Sequence, residues 1–139
     1  MKKSYQILDH TADLRIRVSG DNPADLFTNA GLALFDMIVS PYASSAEAWT
    51  QLSVSGDDRA DLLVNFLREL LYLWTGEEKV VTIIHVEEIS ETDIGARIGF
   101  RSFQPDLFEI VNEIKAVTYH QIEVKQTDAG WQAAVVFDI

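Results

Sequence analysis

The sequence predicts an α+β fold, with two amphipathic helices on one side of a largely antiparallel sheet. Three observations carry that expectation. Pro23 to Ile38 and the stretch from Asp58 to Gly76 repeat their apolar residues at helical spacing. Five or more other runs alternate or are rich in β-branched residues. The later runs are joined by short turn signals, which antiparallel pairing permits. A chain of 139 residues is most simply one domain, large enough to bury a real core.

In chain order, Tyr5 to Leu8 is an apolar strand and Leu14 to Val18 a second one, its Leu14, Ile16 and Val18 alternating with Arg15 and Arg17. Gly20-Asp21-Asn22-Pro23 starts the first helix, with Asn22 as N-cap, Pro23 at the first helical position and Asp25 completing a cap-box-like pair. Leu26, Phe27, Ala30, Leu34, Met37 and Ile38 form its stripe, and Ser40-Pro41 ends it before a polar loop through Ser45. A strand from about Trp49 to Ser55 leads to a second helix capped by Asp58, striped by Leu62, Leu63, Phe66, Leu67, Leu70, Leu71 and Trp74, and closed by Gly76. Val80 to Val86 and Ile94 to Phe103 are strands, the latter with Gly95 and Gly99 as bulge candidates. Gln104-Pro105-Asp106 makes a turn, Glu109 to Val124 one or two strands, Asp128-Ala129-Gly130 a hairpin turn and Trp131 to Phe137 the closing strand.

The chain also repeats itself. Val18-Ser19-Gly20-Asp21 returns as Val54-Ser55-Gly56-Asp57, and Ala24, Asp25, Leu26, Asn29 and Leu34 return 36 residues later as Ala60, Asp61, Leu62, Asn65 and Leu70. The expected organisation is a single domain over 1–139 with an internal repeat, about 14–38 and 50–75.

Composition narrows the function classes. An apolar fraction of 47% and a charged fraction of 24% are those of an ordinary globular protein. The absence of cysteine excludes disulfides, thiolate metal sites and cysteine nucleophiles. No apolar run approaches a membrane span, and Met1-Lys2-Lys3-Ser4 leads into a strand, not a signal peptide's apolar region, so a cytoplasmic protein is expected. Eleven basic residues against 22 acidic ones give a net charge of -11. Tight nucleic-acid binding needs clustered Lys and Arg and is not expected; a basic protein surface is the better partner.

Asp9-His10-Thr11-Ala12-Asp13 crowds more short polar side chains between two strands than a turn requires, and the chain closes on Asp138-Ile139 after a strongly apolar run. If the strand that leaves this knot and the closing strand are antiparallel neighbours, Asp13 meets Asp138 and the carboxylate of Ile139. Like charges that close repel one another, and a bound cation relieves the repulsion. An all-oxygen set suits Ca2+ or Mg2+ better than zinc. From spacing alone the plainer reading comes first: Asp9 and Asp13 as turn and cap residues, Asp138 as a solvated strand end. His10 and His120 lie in polar clusters, whereas His85 sits in a strand as an ordinary surface residue. No serine has the glycine-flanked turn of a nucleophile. The two Val-Ser-Gly-Asp turns place carboxylates where phosphate would sit, so they are caps and not phosphate loops.

Four segments together resemble the archease family: Asp9 to Asp13, Asn65-Phe66-Leu67-Arg68-Glu69-Leu70-Leu71, Lys115-Ala116-Val117-Thr118-Tyr119-His120 and Phe137-Asp138-Ile139. The likeness runs the length of the chain, in order. It implies a duplicated strand-helix-strand-strand module and a protein that is not itself an enzyme but a cofactor of the GTP-dependent RNA ligase of tRNA splicing and RNA repair, promoting guanylylation and multiple turnover. It further implies a metal site, with calcium as the usual ion, on Asp13, Asp138 and a main-chain oxygen of Ile139. His10, Lys115 and His120 would brace that site or touch the partner. A metal-dependent phosphoester hydrolase and a general chaperone or interaction module for nucleic-acid-modifying enzymes remain the alternatives.

Overall fold

Both helices start at the caps that the sequence indicates. The computed structural model describes residues 4–10, 13–40 and 45–139, with the backbone alone for Asp9 and His10. The Thr11-Ala12 step, Pro41 as a helix stop and residues 41–44 of the expected loop lie outside the described residues.

Helix α1 (Pro23–Ile38) is capped by Asn22, whose Oδ1 accepts the Asp25 N–H at 2.8 Å. Asp25 reaches back and accepts the Asp21 N–H at 2.8 Å, one residue beyond the usual capping-box partner. Helix α2 (Arg59–Thr75) repeats this arrangement: Asp58 accepts from Asp61 N–H and Asp61 from Asp57 N–H, both at 2.8 Å. In each case an asparagine one turn on, Asn29 or Asn65, donates to the carbonyl of the preceding strand at Ser19 or Ser55. Strand and helix approach so closely there that a Cβ on Gly20 or Gly56 would lie 2.5 or 2.6 Å from the Leu26 or Leu62 nitrogen. Only glycine fits.

The strands divide into three sheets. Strands β1 (Tyr5–His10), β2 (Asp13–Gly20), β8 (Ala116–Thr127) and β9 (Gly130–Asp138) form one, in the order β1-β2-β9-β8. Strands β4 (Ala48–Ser55), β5 (Lys79–Ile89) and β6 (Asp93–Ser102) form another, ordered β4-β6-β5. The short β3 (Val39–Ser40) and β7 (Glu109–Ile110) pair separately. All pairings are antiparallel. The unit β4-α2-β5-β6 therefore sits within a second unit of the same strand order, β2-α1 followed by β8-β9. Both helices touch both larger sheets, and one continuous apolar cluster draws on all of them. Phe27 of α1 and Phe66 of α2, both fully buried, meet at its centre with ring centroids 5.8 Å apart.

Three local expectations are corrected. The first helix does not run to Ser40-Pro41: it ends at Ile38, and Val39 turns extended to pair with Ile110. The helix's freed carbonyls are taken up from the same distant segment, Met37 O by Asn112 Nδ2 at 2.7 Å and Ile38 O by Val111 N–H at 2.7 Å. The bulges lie not at Gly95 and Gly99 but opposite them in β5, where Thr82 and Glu87 are the extra residues; the missing side chains let β5 lean in. Gly76 closes α2 as expected, in a right-handed conformation, and the left-handed residue of that turn is Glu78 (φ 53), which costs a non-glycine residue roughly 1–2 kcal/mol. Residues 111–115 of the expected Glu109–Val124 strand region are irregular, with Ile114 buried among them. Among the described residues no helix is long and apolar enough to cross a membrane.

Candidate functional site

Strand β2 pairs with β9 along its whole length, and the register sets Asp13 opposite Asp138. Directly opposed residues of an antiparallel pair project to one face, about 4.5–5.5 Å apart at Cβ. Inward of them, Leu14 faces Phe137, both fully buried. Strand alternation then turns Asp13 and Asp138 outward, where both are exposed, and turns the Ile139 side chain back against the core. The apolar side chain at 139 thereby pins the main-chain oxygens next to Asp138.

The other flank of Asp138 is fixed by β8. Ala116 lies opposite it, and the Lys115 N–H donates to the Asp138 carbonyl at 2.8 Å. Lys115 is therefore at the corner. His120 lies five residues along, exposed, with its backbone N–H donating to Thr118 Oγ1 at 3.2 Å. The His10 backbone pairs with Leu14 beside the corner, while its side chain lies outside the described residues. The outward row of β2 continues from Asp13 through Arg15 and Arg17, so the face is acidic at the corner and basic beyond it.

The donors available suit a hard cation: two carboxylates and the main-chain oxygens of Ile139, with no sulfur or described imidazole among them. Among the described residues no three His, Asp or Glu side chains converge as a metal-holding group. For an ion placed there, the corner would supply only part of a coordination shell. The second unit has no such corner, since 36 residues on from Asp13 stands Trp49, opposite Gly99.

Beside the corner lies an arrangement that the sequence reading missed. Between Thr118 and Glu123 strand β8 advances five residues while β9 advances two, from Val136 to Ala134, and Gln121 takes a positive φ of 53 within the bulge. The bulge swings Tyr119 over α2. Its hydroxyl lies 2.7 Å from Asp61 Oδ1 and 3.1 Å from Asn65 Oδ1. The Arg68 guanidinium stacks 4.5 Å from the Tyr119 ring centroid, and its Nε donates to Val117 O at 3.1 Å. The Asp61 carboxyl is held below its ordinary range, first by the Asp57 N–H and then by the Tyr119 hydroxyl; the Tyr119 hydroxyl is raised, first by that same bond. At the far edge of the sheet Tyr5 donates to Asp36, and burial foremost raises its hydroxyl. Two of the segments carrying the resemblance, 65–71 and 115–120, therefore clasp each other.

A family model described as "Archease protein family (MTH1598/TM1083)" matches residues 5–139. A Methanosarcina mazei protein named archease is 38% identical, the match covering 99% of this chain and 97% of that one. One from Pyrococcus abyssi is 34% identical, with 99% of each chain covered. The solution structure of Methanobacterium thermoautotrophicum protein 1598 superposes with a TM-score of 0.81 at 24% identity, covering 99% of this chain and 100% of that one. A Thermotoga maritima crystal structure described as an archease, possible chaperone, gives a TM-score of 0.65 at 19% identity over 96% of both chains. Solved structures of the same fold, a family model that spans nearly the whole chain and full-length relatives above 30% identity agree: the chain belongs to the archease family.

Proposed function

We propose that this chain is a non-catalytic protein cofactor of the GTP-dependent RNA ligase of tRNA splicing and RNA repair, and that Asp13, Asp138 and the main-chain oxygens of Ile139 hold a divalent ion, Ca2+ or else Mg2+. The observation that carries the reading is the pairing of Asp13 with Asp138 at an exposed strand end, within the segments that give the chain its family likeness. A bound divalent ion would supply concentrated positive charge at the corner. The chain's own residues do the rest: the two carboxylates and the Ile139 oxygens present a short row of hard donors, and the β8 and β2 ladders on either side hold Asp138 in place. Offered to the ligase's active centre, such donors would favour the nucleotide-ready state and so promote guanylylation and repeated turnover. The net charge of -11 steers the chain toward a partner built to hold RNA and not toward RNA itself.

The test is ligation of RNA bearing a 3'-phosphate or cyclic phosphate end by excess ligase with GTP and a catalytic amount of this chain. Wild type should raise turnover, and Asp13→Ala or Asp138→Ala should abolish the effect with unfolding curves unchanged. Full stimulation by both variants rules the corner out. A second reading, a general chaperone for nucleic-acid-modifying enzymes, is favoured by the words "possible chaperone" attached to the Thermotoga relative; it requires stimulation that does not depend on the two carboxylates.

A further inference from the structure

A second surface feature borders the corner through Lys115. The C-terminal end of α2 and the segment leading to β8 enclose a cleft of about 450 Å³, lined by Trp74, Phe103, Ile110 and Ile114 and rimmed by Glu78 and Glu113. Its floor is preformed: the Trp74 and Phe103 rings meet edge-on at 5.1 Å, and Phe103 stacks on buried Phe108 at 6.1 Å. Glu78 is locked at the rim in its left-handed conformation, its N–H donating to Trp74 O at 3.0 Å and its carbonyl accepting from Phe103 N–H at 2.9 Å. Backbone strain retained at one spot is characteristic of binding sites. Leu107, Ile110 and Val111 extend the apolar surface outward, each about half exposed. A cluster of exposed large apolar residues around a concave aromatic floor marks a recognition surface.

We propose that this cleft is the docking site that brings the ligase to the corner, and that it takes an apolar side chain flanked by Lys or Arg. The proposal rests on the ligase reading above. Charge selects this occupant: the lining sets two carboxylates, Glu78 and Glu113, against the single Lys115 ammonium, a balance that favours a cationic flank, and the chain's net charge of -11 repels an acidic partner or a second copy of itself. Position does so too, because Lys115 both lines the cleft and bonds through its N–H to Asp138. A partner seated in the cleft is placed against the acidic donors.

Binding of the full chain to the purified ligase, by calorimetric titration, tests the inference with Ile110→Ser and Glu113→Lys, both at exposed positions. Each should raise Kd about tenfold, and an excess of either variant should restore full stimulation, since the corner is intact. Asp138→Ala should do the reverse, retaining affinity while no excess restores stimulation. Unchanged affinity in both cleft variants overturns the cleft and leaves the ligase reading standing. Loss of self-association in Ile110→Ser with ligase affinity unchanged assigns the cleft to a second copy and also overturns it. Failure of the wild-type chain to bind or stimulate the ligase overturns both.

Discussion

At the scale of single residues, two kinds of placement behave differently. The Asp13–Asp138 pairing follows from strand alternation and from the neighbouring of two strands, so the sequence could propose it before any coordinates. Tyr119 could not be placed that way. Its partner Asp61 is 58 residues distant, and its position depends on a bulge whose three extra residues carry no turn signal. The clasp has a measurable electrostatic signature. Because the folded Asp61 carboxyl is held below its ordinary range, its contribution to stability is present above that range and is lost as pH falls through the lowered folded value. Tyr119→Phe removes the second largest of the causes. The Asp61 carboxyl resonance followed by NMR should then titrate at higher pH than in wild type while staying below the ordinary value, because the Asp57 N–H remains. An unshifted midpoint would show that the hydroxyl does not govern that carboxylate.

At the scale of elements, the helices were legible because caps and periodicity agree. The cap chemistry also makes a paired prediction. Asn22 and Asp58 each accept one N–H at 2.8 Å in matching frames, so Asn22→Ala and Asp58→Ala should each lower unfolding free energy by about 1 kcal/mol. Urea denaturation measures both; a large difference between them would mean that the two turns are not equivalent in energy. The short elements escaped the sequence for a physical reason. The two residues of β3 form a strand only because Ile110 and Glu109 come alongside, and the α1 carbonyls find their donors in the same remote segment. Likewise the bulges opposite Gly95 and Gly99 are a property of a strand pair, and a glycine marks the place without saying which strand bends.

At the scale of the whole molecule, nesting one β-α-β-β unit inside another explains why β2, near the start of the chain, lies beside β9, its closing strand. The apolar pattern indicated two helices and an antiparallel majority, but the division into three sheets is a long-range outcome that no local window contains. The nesting also leaves this acidic corner to the outer unit, since the inner one has Trp49 and Gly99 where the outer has Asp13 and Asp138. In the proposed function, residues from both ends of the sequence hold one cation there. Calorimetric titration of Ca2+ into the wild-type chain, and into the folded Asp13→Asn, Asp138→Asn double variant, tests it most directly. One ion should be taken up per wild-type chain and none by the variant; equal uptake by both would mean that the two carboxylates hold no cation.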